Sequence, residues 1–272
     1  MENYSNRLII EELEKIYSST RGLNDQEIIQ DHSDNFEPFF QRLDYLSALE
    51  IDDLFAQDIV CKLKPDCALE SIVRFRNLYS LRLETENAYS ILESSQPWEV
   101  LEKFTHYSNY VQLAQSEYQG SGLKPGDSVV FLGSGPLPLS LIIMCHQNGL
   151  KGVGIEQEPD RAKLSREVVE KLGLSSQIEI KTGNHFSLPL KSKYELLMVA
   201  AAAEPKIEIF NYLASVLPAR MRLSYRIYEK GLRRVLETGF QFELPEQFTE
   251  LYRIRPEPPV NNTVVFITKE AS

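Results

Sequence analysis

The chain has 272 residues, of which 43% are hydrophobic and 25% charged, with 13 glycines and 14 prolines. Those proportions exclude a collagen, a coiled-coil rod and a disordered chain, and leave room for one large domain or two modest ones. A net charge of -10 and a pI of about 5.1 argue against a nucleic-acid or anionic-membrane surface as the main business. A small cationic ligand suits that field, although acidity also serves solubility alone.

From about Arg7 to Tyr118 apolar residues recur at three and four, and Gly22 is the one glycine, so a helical N-terminal half is predicted. Its start, MENYSNRLIIEELEKIY, has no apolar core of a secretory signal. The longest apolar stretches, around Leu137–Cys145 and Leu196–Ala203, are too short for a bilayer, so a cytoplasmic protein is expected. Cys61, Cys67 and Cys145 form no CxxC pair and do not group with His32, His106, His146 or His185 at zinc-ligand spacing. Reduced, buried thiols are expected, and no metal.

A long amphipathic helix is predicted over Ser71–Ser94. Leu81, Glu84, Ala88 and Ile91 share one stripe of it, so Glu84 points among apolar neighbours. Such a carboxylate is either paired, with Arg74 or Arg82 for example, or left with a raised pKa suited to taking a proton. The next helix is predicted to begin at Pro97 and to carry Phe104, Tyr107, Tyr110, Ala114 and Glu117 on adjacent faces. Its aromatic stripe reads as core, yet it also sets two tyrosine hydroxyls side by side.

Gln119–Asp127 (QGSGLKPGD) is a breaker cluster and the expected boundary between a helical cap domain, 1–119, and a second domain, 120–272. Beyond it, strand-length runs at 128–132, 152–156, 178–182, 196–200 and 221–225 alternate with helix-length segments such as 160–172 and 205–217. That alternation predicts an α/β fold, with βα units wound onto a parallel sheet. Runs at 248–253 and 263–268, joined by RPEPPVNN, predict an antiparallel hairpin closing one sheet edge.

The chemistry gathers at VVFLGSGPLPL. A strand enters Gly133-Ser134-Gly135 and a helix follows, with Pro136 and Pro138 suited to its first turn. The third glycine of the dinucleotide fingerprint is replaced by Pro138, which disfavours a pyrophosphate cofactor. Glu156 ends the second strand 23 residues after Gly133, where a carboxylate can accept both hydroxyls of a ribose. A glycine loop without a phosphate cradle plus such an acid fits S-adenosylmethionine better than NAD; the plainer reading is a generic doubly wound domain with an exposed acid. Asn184 after the third strand can read an adenine edge. Ala200–Ala203 after the fourth either leave room for a ligand or pack helix against sheet.

GSGPLPLSLI, HYSNYVQLAQSEY at 106–118, LLMVAAAAEPK at 196–206 and VNNTVVF at 260–266 together resemble nicotianamine synthase, in its short microbial, archaeal-type form, from about Ser71 to the end. The resemblance implies a Rossmann-like, class I methyltransferase-like S-adenosylmethionine-binding domain with an N-terminal all-helical cap. It implies transfer of the 3-amino-3-carboxypropyl (aminobutanoyl) group to an amine, with release of methylthioadenosine. Glu84 and Tyr110 fall on the family's catalytic carboxylate and tyrosine. Gly133, Ser134, Gly135, Pro136, Glu156, Gln157, Asn184, Ala200 and Ala201 fall on its S-adenosylmethionine site. Tyr107, Arg226 and Arg233 fall on substrate-binding positions, Arg233 after a stretch one residue longer than the family's.

The expected partners are S-adenosylmethionine as donor substrate and an amino-acid acceptor, with no nucleic acid, no membrane and room for a homodimer. Iterated transfer to a nicotianamine-like metallophore, a single transfer to histidine or another amino acid, and cyclisation to azetidine-2-carboxylate all remain open within the family. An ordinary methyltransferase and a non-catalytic sensor are the rivals outside it.

Overall fold

The computed structural model describes residues 6–30, 35–63, 67–229, 231–236, 243–255, 257, 260 and 262–270. His32 and parts of the RPEPPVNN turn lie outside them. The chain divides into two compact units: Met1–Leu83 with Tyr228–Gln241, and Glu84–Ile227 with Phe242–Ser272.

Helices α1 (Asn6–Thr20), α2 (Asp25–Gln30), α3 (Glu37–Ser47), α4 (Asp53–Leu63) and the first part of α5 (Ala68–Glu93) make up most of the first unit. In α1 the apolar residues Ile9, Leu13 and Ile16 recur at four and three, so one stripe is buried, against Leu43, Ile59 and Phe75 among others. Phe40 stacks on Tyr79 with ring centroids 4.5 Å apart. The segment after the fifth strand returns to this unit. Leu232, Val235 and Leu236 are buried in its core, and Leu232 N–H donates to the Leu49 carbonyl at 3.0 Å. Gly231 makes that return possible, because its φ of +66° is left-handed and a Cβ there would lie 2.8 Å from the Leu49 oxygen.

The second unit is a seven-stranded sheet among the described residues, built from β1 (Ser128–Leu132), β2 (Lys151–Glu156), β3 (Ile178–Thr182), β4 (Leu196–Val199), β5 (Arg222–Ile227), β6 (Phe248–Ile254) and β7 (Thr263–Lys269). Its order is β3-β2-β1-β4-β5-β7-β6, parallel through β5 and antiparallel for the last two strands. The strands of the predicted hairpin pair with each other, β7 against β5 and β6 at the edge. Val129–Leu132 and all of β4 are buried, as expected where both faces of a parallel sheet are covered. One face packs on α10 (Lys206–Val216) through Phe210 and Leu213. Strand order reverses between β1 and β4, and in such sheets ligands sit beyond the carboxyl ends of the strands at that point.

Three expectations are corrected. The boundary expected at 119/120 falls instead inside α5, between Leu83 and Glu84. The breaker cluster is only the turn from α7 (Tyr107–Ser121) into β1, and α7 packs on α8 (Leu139–Asn148) and β7 within one unit. The helix predicted from Pro97 to Glu117 is two, α6 (Pro97–Glu102) and α7. Between them Phe104 N–H bonds Leu101 O at 3.1 Å and Tyr107 N–H bonds Phe104 O at 2.8 Å, three-residue closures that tighten the chain out of α geometry. Of the cysteines only Cys145 is buried, its thiol pushed up to about 12 by burial; Cys61 and Cys67 are exposed. No described helix is long and apolar enough to cross a membrane.

Candidate active site

The site begins where β1 runs into the glycine turn. Gly133 N–H and Ser134 N–H both donate to the Ile155 carbonyl of β2, at 2.9 and 3.1 Å, so the turn is bound to the neighbouring strand. Gly133 (φ +81°) and Gly135 (φ +71°) take left-handed conformations that side chains disfavour. Pro136 is buried in the turn, and α8 starts only at Leu139 with Pro138 as its N-cap, three residues later than the proline pattern suggested.

Glu156, at the end of β2, is 5% exposed. Its Oε2 accepts from Gly135 N–H at 2.9 Å and its Oε1 from Glu158 N–H at 3.0 Å. The carboxylate therefore ties the glycine turn to the start of α9 (Pro159–Lys171). A carboxylate offers about four lone-pair sites, so Glu156 keeps acceptor capacity for hydroxyl groups. Gln157 stands exposed beside it.

Glu84 lies over this turn: a Cβ built on Gly135 would sit 3.4 Å from Glu84 Oε2. Tyr110 O–H donates to Glu84 Oε1 at 3.1 Å. The carboxyl is pushed up to about 7, chiefly by burial and further by the charge of Glu156, while the Tyr110 hydrogen bond and the Arg161 charge pull the other way. Of the two states left open for Glu84, the raised one is found. Arg74 instead pairs with Asp25 and the Leu23 carbonyl. A group half-protonated near neutrality is suited to taking a proton from an ammonium at pH 7.

Around this centre, Ser134 Oγ is buried with no hydrogen-bond partner among the described residues. An orphaned polar atom beneath a glycine turn, beside an acid with spare acceptor sites, fits a nucleoside ligand such as S-adenosylmethionine. Asn184 is exposed, with Oδ1 accepting from Phe186 N–H at 3.0 Å, which leaves its amide NH₂ for a ligand. Ala200 is buried and Ala201 half-buried on the loop beyond β4. Tyr107 is half-buried, its hydroxyl bonded to the Gln147 side chain.

The two arginines part company. Arg226 is buried and paired within the protein: it is 5% exposed, and Glu117, 0% exposed, accepts from its Nε at 3.2 Å and its Nη2 at 2.5 Å. Ser140 Oγ accepts from Nη2 at 2.7 Å and the Phe131 ring underlies the guanidinium at 5.3 Å. A carboxylate of the protein itself already occupies this fork. Arg233 belongs to the first unit, with its guanidinium 4.1 Å from the Tyr228 ring centre. Sequence reasoning missed Arg161, a half-buried cation on the first turn of α9 whose field reaches Glu84. Its only signal was position, five residues past Glu156. Among the described residues no group of three His, Cys, Asp or Glu could hold a metal ion.

A parallel sheet with its order reversing at β1, a glycine turn there and an acid ending β2 define a Rossmann-like nucleoside-binding fold, and the missing phosphate cradle suits S-adenosylmethionine. Comparison with known proteins makes this specific. Residues 1–272 match the family model "Nicotianamine synthase protein", and the chain belongs to the nicotianamine synthase family of S-adenosylmethionine-dependent aminobutanoyl transferases. The chain is similar to the crystal structure of MtNAS in complex with MTA and tNA, with a TM-score of 0.83 and 30% identity over 95% of this chain and 97% of that one. It is also similar to a glutamate-to-glutamine variant of MtNAS in complex with S-adenosylmethionine (TM-score 0.81, 29% identity, covering 96% and 98%). Among sequence relatives, nicotianamine synthase 1 of Oryza sativa subsp. indica is 27% identical over 77% of this chain and 68% of its own length. The L-histidine 2-aminobutanoyltransferase of Yersinia pestis is 24% identical over 79% and 78%.

Proposed function

We propose that this enzyme builds a nicotianamine-like metallophore by transferring the aminobutanoyl group of S-adenosylmethionine to an amine. The observation that carries the reading is Glu84, hydrogen-bonded to Tyr110, lying over Gly135 with its carboxyl near 7. Gly133, Ser134, Gly135, Pro136, Glu156, Gln157, Asn184, Ala200 and Ala201 hold the nucleoside, and Tyr107 serves the amino-acid end. The acceptor arrives as an ammonium, which cannot attack. It gives a proton to Glu84, while Tyr110 holds the carboxylate in place. The freed lone pair forms a C–N bond at the aminobutanoyl carbon. The C–S bond breaks with its electron pair on sulfur, and methylthioadenosine leaves neutral. A sulfonium activates three carbons alike, so orientation alone selects this one.

A single transfer to histidine is the second reading, favoured by the similarity to the Yersinia pestis enzyme. Mass spectrometry of the amino-acid product decides between them, after incubation with S-adenosylmethionine alone and then with histidine or glutamate. Products carrying several aminobutanoyl units support the first reading; one unit on added histidine supports the second.

The same geometry sets a pH dependence. Glu84 is a base only when ionised, and its carboxyl in the free enzyme titrates at about 7. We expect kcat/KM to fall about tenfold per pH unit below 7, because that parameter reports the free enzyme's base. A profile flat down to pH 5 would remove Glu84 from the proton transfer.

A further inference from the structure

Lys206 opens α10, yet it is only 5% exposed. An ammonium so placed is costly unless donors and charge are satisfied. Its Nζ donates to the carbonyls of Ala200 at 3.1 Å, Ala201 at 2.7 Å and Ala203 at 2.5 Å, and lies 3.3 Å from Glu204 Oε1. Glu204 Oε2 in turn accepts from Lys206 N–H at 2.8 Å. The loop beyond β4 is thus folded around one cation, its carbonyls turned inward.

The outward side of that loop meets the glycine turn. A Cβ on Gly133 would lie 3.0 Å from Ala203 Cβ and 3.2 Å from Ala200 Cβ, so these two methyl groups pack against the Gly133 backbone. Ala200 N–H also donates to Leu132 O at 3.0 Å, joining the loop to the last residue of β1. The Ala200 and Ala203 methyl groups are therefore a wall for the glycine turn, and Lys206, bonded to the carbonyls of both residues, sets where the wall stands.

We infer that Lys206 is a positioning residue for S-adenosylmethionine: its ammonium shapes the Ala200–Ala203 loop, which holds the Gly133–Gly135 turn ready for the nucleoside. The inference rests on reading that turn as the S-adenosylmethionine site. It predicts lost affinity without lost chemistry, since Lys206 is assigned no part in the proton transfer.

The test begins with S-adenosylmethionine binding to the unaltered protein by calorimetry; failure there overturns the site itself. Given binding, Lys206→Met should raise the Kd and the KM for S-adenosylmethionine about tenfold with kcat little changed, the pattern of lost uniform binding. Lys206→Ala deletes what n-propylammonium supplies. Millimolar propylammonium should bring its KM back toward the original value, while tetramethylammonium at equal ionic strength should not. Unchanged affinity in Lys206→Met overturns the inference while leaving the site intact, and so does equal loss of kcat and affinity without propylammonium rescue. Lys206→Arg keeps charge and donors and guards against misfolding. If all three variants fail to fold, Lys206 acts on stability at large and the assignment is overturned.

Discussion

Glu84→Gln is expected to bind S-adenosylmethionine as the parent enzyme does and to lose about 10²–10⁴-fold in turnover, the usual worth of a positioned general base. Glutamine keeps the shape over Gly135 and an oxygen for the Tyr110 hydroxyl, but it cannot take a proton. Stability should move the other way. The carboxyl sits near 7 in the folded chain against an ordinary 4.5, so folding favours its protonated form. Relative to the glutamine variant, parent stability is greatest below pH 4.5 and declines as pH rises through 7. Denaturant midpoints of the two proteins at pH 5 and pH 8 check the sign. Full turnover in Glu84→Gln would contradict the mechanism, whereas loss of S-adenosylmethionine binding would make Glu84 a binding group instead.

The second large effect concerns Glu117 and Arg226. Their pair joins α7, which carries Tyr110, to β5, and through Ser140 to the first turn of α8. Removing one partner leaves a charge in the interior. Glu117→Leu is expected to cost about 3–5 kcal/mol of stability, read from urea denaturation. Replacing both, as Glu117→Leu with Arg226→Met, should recover most of that loss, because an apolar pair of similar volume is often no less stable than a buried ion pair. A single variant as stable as the parent would mean that water reaches the guanidinium. The double variant also separates two roles for Arg226: retained turnover fits a tie between elements, and a large rise in KM for the acceptor fits a substrate contact.

What the sequence discloses and what it hides divide along the range of the interactions. The strands are legible because a parallel sheet covered on both faces demands short unbroken apolar runs, as in Val129–Leu132 and Leu196–Val199. The glycine turn and the acid of β2 are legible because both answer to local backbone needs. Glu84 is legible as a charge on an apolar stripe, but its state is not, since its burial is set by tertiary packing and its Tyr110 bond comes from a residue 26 positions away. The pairing of Arg226 is hidden because its partner, Glu117, is 109 residues away. The boundary is misread because both sides of Leu83 lie in one continuous helix, and because the return of Leu232–Leu236 to the first unit leaves no local mark. Lys206 carries no mark in the sequence, because only the folded loop shows three carbonyls converging on it.

Chromatography of the nucleoside formed when the purified protein meets S-adenosylmethionine and an amino-acid acceptor tests the central claim most directly. A base facing the longer arm of the sulfonium yields methylthioadenosine, in proportion to the aminobutanoyl groups transferred. Accumulation of S-adenosylhomocysteine would mean that the methyl group is the one presented to the acceptor, and the arrangement described for Glu84 and Tyr110 would then serve a different reaction.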